Sequence, residues 1–327
     1  MLLDSAGRVK YFRRRVRVRS GGPESRGIMS LIVVGSVALD TIETPHGRVS
    51  DALGGSAVHF ALAASMLAPV RLVGQVGRDL PEKALEPLRR RGVDLRGLQR
   101  KDGKTFRWSG RYSSDMNQRE TVSVELNVFG QYAPEIPPAF RTSRFVFLAN
   151  GSPEHQMQVL DQMRGPCFAV VDTMDHWIHS SRPVLAALFK RVQAVVVNDS
   201  EARLLSGEEF SLRAAGRILR MGPKYVIVKK GEHGAVMVGR DGTFVIPAFP
   251  TGEVRDPTGA GDTFAGGMMG YLARRGRVTS ATLRRGIAYG TVLASFNVED
   301  FGVRRVASLT LPKVEARLRE FRKMLKF

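Results

Sequence analysis

Five short apolar runs, interleaved with stretches that suit helices, leave this chain few ways to fold. The runs are Leu31–Gly35, Phe145–Ala149, Phe168–Asp172, Ala194–Val197 and Tyr225–Lys229. Each is too short for a globular helix and is apolar at consecutive rather than alternate positions, so a strand there must be covered on both faces. Helical stretches lie between and around them. Ala57–Leu67 is stopped by Pro69, and another helix opens at Ser152-Pro153-Glu154 and stops at Gly165-Pro166. Pro183–Arg191 and Leu212–Met221 follow. Val70–Val76 reads as a further strand, and Pro81–Arg91 as a helix with Pro at its start and Gly92 past its end. Such alternation builds a mainly parallel sheet between two helical layers, with any site at the C-terminal strand ends. Asp172, Asn198 and Lys229 all end strands and make that edge polar.

Two segments break the alternation. Thr105–Tyr112 alternates, with Phe106, Trp108 and Tyr112 on one face, and Glu120–Phe129 groups Val122, Val124, Leu126 and Val128. With 41–52, these strands of about 105–129 are expected to form a small sheet projecting from the main body. A Pro-rich joint, Ala133–Pro138, leads back. Later, Ala235–Val238 and Thr243–Ile246 flank Asp241-Gly242, a hairpin signal. Helices are expected at Phe264–Ala273, Ser280–Val298 and Val314–Leu325.

The chain has one cysteine, Cys167, which excludes an intramolecular disulfide framework and a cysteine-cluster metal site. No apolar run approaches the ~20 residues of a membrane span, so neither a membrane nor an export route is expected and the location is read as cytoplasmic. A net charge of +19 invites a nucleic-acid reading. Yet residues 1–28 hold eight Lys/Arg against Asp4 and Glu24, and the remaining basic residues lack the interleaved aromatics that stack bases. No nucleic-acid partner is therefore expected. The basic start before Ile28–Leu39 superficially resembles a signal peptide, but those apolar residues are wanted as the first strand. Residues 1–28 are read as a disordered extension, with Met29 as a candidate translation start.

The most specific stretch is Asp256-Pro-Thr-Gly-Ala-Gly-Asp262, which runs directly into a helix. Gly259, Ala260 and Gly261 leave backbone N–H groups uncovered at a positive helix end, a ready anion site. Asp262 places a carboxylate in the same turn. Amides for developing charge beside an acceptor for an alcohol proton are what phosphoryl transfer to a hydroxyl requires. A plain Gly-rich helix start fits the same letters.

This stretch resembles the C-terminal signature of the PfkB (ribokinase-like) carbohydrate kinases. The resemblance implies a three-layer α/β/α fold with a small β lid, ATP and Mg²⁺ as cofactors, and a lid that covers the acceptor and serves in some members as a homodimer interface. It implies Asp262 as catalytic base and the amides of Gly259, Ala260 and Gly261 as an anion hole. Asp40 falls where an acid binds acceptor hydroxyls, and Leu53-Gly54-Gly55-Ser56 resembles the substrate signature. That signature departs at His59, where Asn is usual, and at Ala68, where Gly or Ser is usual. Asn198 and Glu201 match an N-x-x-E motif associated with Mg²⁺ acting indirectly, although the same spacing is a capping box. Lys229 with Gly231 and Gly234 would border the ATP site, and Asn297 falls where the family closes around adenine. Asp256 and Thr258 lie where a monovalent cation, K⁺, would be held. The expected activity is ATP-dependent phosphorylation of a hydroxyl on a small sugar or sugar-like substrate. A nucleoside is the alternative acceptor, and a non-catalytic nucleotide- or nucleic-acid-binding protein is the alternative of another class.

Overall fold

Every one of the five apolar runs becomes a strand of one sheet. The computed structural model describes residues 29–131 and 133–326; the segment 1–28, expected to be a disordered extension, lies outside the described residues. In chain order the strands are β1 (Leu31–Val34), β2 (Ala38–Thr44), β3 (Gly47–Gly54), β4 (Val70–Gly77), β5 (Asp94–Lys101), β6 (Phe106–Tyr112) and β7 (Arg119–Glu125). They continue with β8 (Phe145–Leu148), β9 (Phe168–Asp172), β10 (Ala194–Asn198), β11 (Tyr225–Lys229), β12 (Ala235–Gly239) and β13 (Gly242–Ile246). The helices are α1 (Ser56–Ala64), α2 (Glu86–Arg90), α3 (Pro153–Gln162), α4 (Asp175–Ser180), α5 (Arg182–Phe189), α6 (Asp199–Ser206), α7 (Ser211–Leu219), α8 (Ala260–Arg275), α9 (Ser280–Asn297), α10 (Arg304–Ser308) and α11 (Leu311–Met324).

Nine strands form the main sheet in the order β13-β12-β11-β10-β9-β8-β1-β4-β5. All neighbours run parallel except β11/β12 and β12/β13. Because side chains alternate across a strand, Leu31 and Val33 enter one core with α1, α8 and α9, while Ile32 and Val34 enter a second with α3, α5 and α7. Two cores on opposite faces of one sheet make the three-layer architecture. On the first face Phe60 stacks on Phe147 at 4.3 Å. Any side chain at Gly266 or Gly290 would meet the backbone of Phe60 or Phe264, so α1, α8 and α9 approach backbone to backbone.

Four strands form the lid in the order β3-β2-β6-β7. The lid segment expected at 41–52 is two strands, β2 and β3, spanning Ala38 to Gly54. The expected strand 120–129 stops at Glu125, and Asn127–Gln131 is a 3₁₀ turn entered through Asn127 at φ 48°. Val122 and Val124 on the lid's outer strand and Leu126 just past its end are exposed, while Val128 is buried. The helix expected over Pro81–Arg91 is a 3₁₀ turn, Glu82–Leu85, followed by α2. Pro87 has no N–H to continue a helix through that point and sits at the opening of α2 instead. β5 carries a polar, unpatterned sequence and pairs only with β4, as an edge strand does.

Candidate active site

The site is built around the start of α8. Gly259 is its N-cap, at φ 71°, a left-handed conformation that glycine adopts without strain. A Cβ there would also fall inside the His59 ring. Asp256, wholly buried, fastens the preceding turn: one carboxylate oxygen accepts from the Thr258 N–H at 2.8 Å and the other from the Gly302 N–H at 2.7 Å. Ala260 turns its N–H back onto the Pro257 carbonyl at 3.2 Å. Of the three amides expected in the anion hole, Ala260's is thus spent on closing the turn, whereas those of Gly259 and Gly261 have no backbone acceptor among the described residues.

The parallel register sets the charges. Asn198 lies beside Lys229, and Val196 beside Asp172, so β9, β10 and β11 deliver their terminal polar residues to one edge. Lys229 Nζ reaches Asp172 Oδ2 at 3.4 Å and sits 2.9 Å from where a Gly261 side chain would begin. Burial works against the lysine's charge, but Asp172, Glu201 and Asp262 outweigh it and raise its pKa. Desolvation, reinforced by the charge of Asp172 and opposed by Lys229, pushes the Asp262 carboxyl up to about 7. Glu201 is raised by burial to about 8. One lysine thus serves three carboxyl groups, and the helix-start aspartate titrates near neutrality. Asp172 is the member that sequence reasoning left as an unassigned strand end.

Asp40 ends up beside this cluster. A Cβ on Gly54 would overlap the Asp40 carboxylate, and Gly55, at φ 93°, donates its N–H to that carboxylate. The glycine pair therefore makes room for the acid and binds it. Burial, with the nearby charges of Asp256 and Asp262, raises Asp40 to about 7.

Two residues expected at ligands are buried behind the α8 start. His59, expected to contact substrate, is only 2% exposed and lies under the α8 start, its Nδ1 3.2 Å from Asn297 Oδ1. Burial lowers its pKa against the pull of Asp256. Asn297, expected near adenine, is wholly buried; it donates Nδ2–H to the Thr258 carbonyl at 2.8 Å and accepts from Thr263 Oγ1 at 3.0 Å. Together they brace the Gly259 turn from behind, because a buried amide must find partners for both of its ends.

Asn198 and Glu201 form a full capping box on α6, with Glu201 N–H donating to Asn198 Oδ1 at 2.8 Å and Asn198 N–H to Glu201 Oε2 at 2.7 Å. Among the described residues no group of three or more His, Cys, Asp or Glu could hold a metal alone. That donor set suits Mg²⁺ arriving on nucleotide phosphates and keeping most of its water. A Cβ on Gly231 would meet open space, whereas one on Gly234, at φ 90°, would overlap the Ile246 carbonyl; the Gly234 N–H closes the turn onto the Gly231 carbonyl at 3.1 Å.

The lid touches both sides of the site. Thr258 Oγ1 donates to the Tyr112 hydroxyl at 3.1 Å, and Asn117 Nδ2 at the lid tip donates to Glu232 Oε1, beside Gly231, at 3.2 Å. Tyr112 shared the period-2 signal of Phe106 and Trp108, but nothing local marked its partner.

The sequence from 29 to 309 matches the model of the pfkB family of carbohydrate kinases. This chain belongs to that family. It is 32% identical over 269 residues to a cytidine kinase of Thermococcus kodakarensis, covering 80% of this chain and 94% of that protein. Among solved structures it is similar in fold to the nucleoside kinase of Methanocaldococcus jannaschii, with a TM-score of 0.73, 24% identity, and 90% and 99% of the two chains covered. It also resembles the aminoimidazole riboside kinase of Salmonella enterica complexed with aminoimidazole riboside and an ATP analog, at TM-score 0.70 and 18% identity over 88% and 99% of the chains. As a pfkB kinase the chain is a phosphotransferase with an alcohol group as acceptor, and the non-catalytic alternative gives way. Among the described residues no helix is long and apolar enough to cross a membrane.

Proposed function

We propose that this pfkB kinase transfers the γ-phosphoryl group of ATP to a hydroxyl on the sugar ring of a nucleoside in the cytoplasm, with Asp262 as the base. The observation that carries the reading is the Asp262 carboxyl, raised to about 7 beside the Gly259 and Gly261 amides and Lys229. A base that titrates near neutrality is matched to a hydroxyl proton. The acceptor oxygen bonds to phosphorus, the bond to the ADP oxygen breaks, and the proton passes to Asp262. Gly259, Gly261 and Lys229 face the charge that develops on the transferring group. Asp40, held by Gly54 and Gly55, accepts from the remaining sugar hydroxyls. Gly231 borders the nucleotide. Mg²⁺ neutralises phosphate charge when bound, with Asn198 and Glu201 acting on its hydration shell.

A nucleoside is favoured over a free sugar by the lid and by the relatives' named substrates. Phe106 stacks on Phe129 at 5.5 Å and Trp108 lies half-buried on the same strand, a surface suited to a base. ADP formation screened over nucleosides and free sugars tests this, and turnover of free sugars alone overturns it. Asp262→Asn should lower kcat by roughly 10²–10⁴ with KM little changed; near-normal turnover with the right acceptor refutes the mechanism. The Asp256–Thr258 turn is proposed to give K⁺ activation, which equal rates in sodium and potassium would refute. Exposed Val122, Val124 and Leu126 support a homodimer through β7, tested by light scattering of the purified protein.

A further inference from the structure

Tyr112 is the last residue of β6 and is buried. A phenylalanine would fill the same space. The hydroxyl therefore calls for a reason, because an oxygen taken out of water must be hydrogen-bonded. Its partner is Thr258, whose Oγ1 donates to it at 3.1 Å. Burial, aided by the carboxylates of Asp256 and Asp40 and opposed by the charge of Arg119, pushes the phenol up to about 12, so the hydroxyl keeps its proton at neutral pH.

Thr258 is held through all three of its polar groups. Its N–H donates to Asp256 Oδ1 at 2.8 Å, and its carbonyl accepts from Asn297 Nδ2 at 2.8 Å. Both partners are wholly buried and are themselves fixed, Asp256 by the Gly302 N–H and Asn297 by Thr263 and His59. The third group, the side-chain hydroxyl, is held from the lid. Because the lid is a separate sheet, side chains rather than a strand ladder connect it to this turn. Among the described residues no other lid side chain hydrogen-bonds the turn; the contact of Asn117 with Glu232 goes to the turn beside Gly231 instead. The Gly259 amide follows Thr258 directly and the Gly261 amide two residues later. Glycine backbone is permissive, so these amides need an anchor outside themselves.

We infer that Tyr112 is a positioning residue: its hydroxyl fixes Thr258 from the lid and so holds the Gly259 and Gly261 amides where charge develops on the transferring group. This rests on phosphoryl transfer at Asp262. Asp256 and Asn297 fix the backbone of Thr258 at two points, and an anchor on its side chain stops rotation about them. Donors placed in advance need no rearrangement at the moment of transfer. Tyr112 and Thr258 stand 146 residues apart in the chain, so the amides take their working geometry only with the lid seated on the turn.

The test uses Tyr112→Phe, Thr258→Val and the double variant in the full chain, with thermal melting to confirm folding and Asp262→Asn as reference. Each single change removes one hydroxyl of the pair, and valine keeps both backbone bonds of Thr258. Each should lower kcat by roughly 10–10²-fold with the acceptor KM little changed. The double variant should be no slower than the slower single one, since both changes break the same bond. Asn117→Ala releases the lid at its other contact, and its loss should multiply with that of Thr258→Val rather than merge with it. A kcat for Tyr112→Phe within about twofold of the parent, or a loss confined to KM, overturns the assignment. So do losses of Tyr112→Phe and Thr258→Val that multiply. Merging of Asn117→Ala with Thr258→Val also overturns it, because seating of the whole lid would then set the turn. If Asp262→Asn turns over normally, the phosphoryl-transfer reading falls; if Asp262→Asn is inactive and Tyr112→Phe is unimpaired, only this inference falls.

Discussion

Replacing Gly259 by alanine tests the α8 start most directly. Two independent penalties apply. At φ 71° an L residue costs about 1–2 kcal/mol more than glycine. The new Cβ also overlaps the His59 ring, which is 2% exposed and tied to Asn297, so the ring cannot swing into solvent to make room. Overpacking of that kind costs about 1–3 kcal/mol, for a total of roughly 2–5 kcal/mol. Urea unfolding followed by tryptophan fluorescence reads the sum, and a cycle with His59→Ala separates the parts. With the ring gone, the backbone penalty remains and the packing penalty disappears, so the two changes should couple by about 1–3 kcal/mol. In the single variant the displaced turn also moves the Gly259 and Gly261 amides, and a shift of about 1 Å lowers kcat by roughly 10²-fold. Coupling below about 0.5 kcal/mol, or an unchanged kcat, would refute the view that His59 braces the anion-binding turn.

The remaining predictions concern charge. Activity should fall on the acid side with an apparent pKa near 7, because Asp262 must lose its proton to act and burial holds that proton; a limb near the ordinary 3.8 contradicts this. Asp40 and Asp262 hold protons more tightly folded than unfolded, so between pH 3.8 and about 7 the native state binds more protons and stability falls as pH rises. Asp262→Asn, which removes the ionisable group, should therefore be more stable than the parent at pH 8, by about 1 kcal/mol or more, in ligand-free urea melts. Lys229→Met strips the shared cation from Asp172, Glu201 and Asp262. It should move the acid limb of kcat/KM to higher pH and cost roughly 10²-fold in rate; an unmoved limb would dissociate Lys229 from the base.

Much of this was legible because its signals are local. Continuous Val and Ile runs announce buried strands, and small residues before a helix announce an anion-binding turn; both are written in adjacent letters. The misreadings occur where a neighbour distant in the chain decides. β5 is polar and aperiodic, and only the exposed edge of β4 makes it a strand. Val128 continues the alternation of Val122, Val124 and Leu126, yet the positive φ of Asn127 ends the strand and sends it inward. Asn198 and Glu201 satisfy capping and Mg²⁺ patterns alike, since both need the same two groups at a helix start. His59 and Asn297 were placed at ligands from their positions in the chain, but 238 residues separate them and their hydrogen bond belongs to the bracing of α8.

By itself the sequence determined the layered sheet and, through the resemblance of its Asp256–Asp262 turn to a kinase signature, pointed to the reaction type, because strand burial and that turn depend on residues next to one another. Only the tertiary structure decided which charges meet. Asp172, Lys229, Glu201 and Asp262 come from four separate segments, and Tyr112 and Asn117 from a lid elsewhere in the chain. Their pKa values arise from burial and mutual distance, which exist only once parallel strands stand in register and the lid lies across their ends.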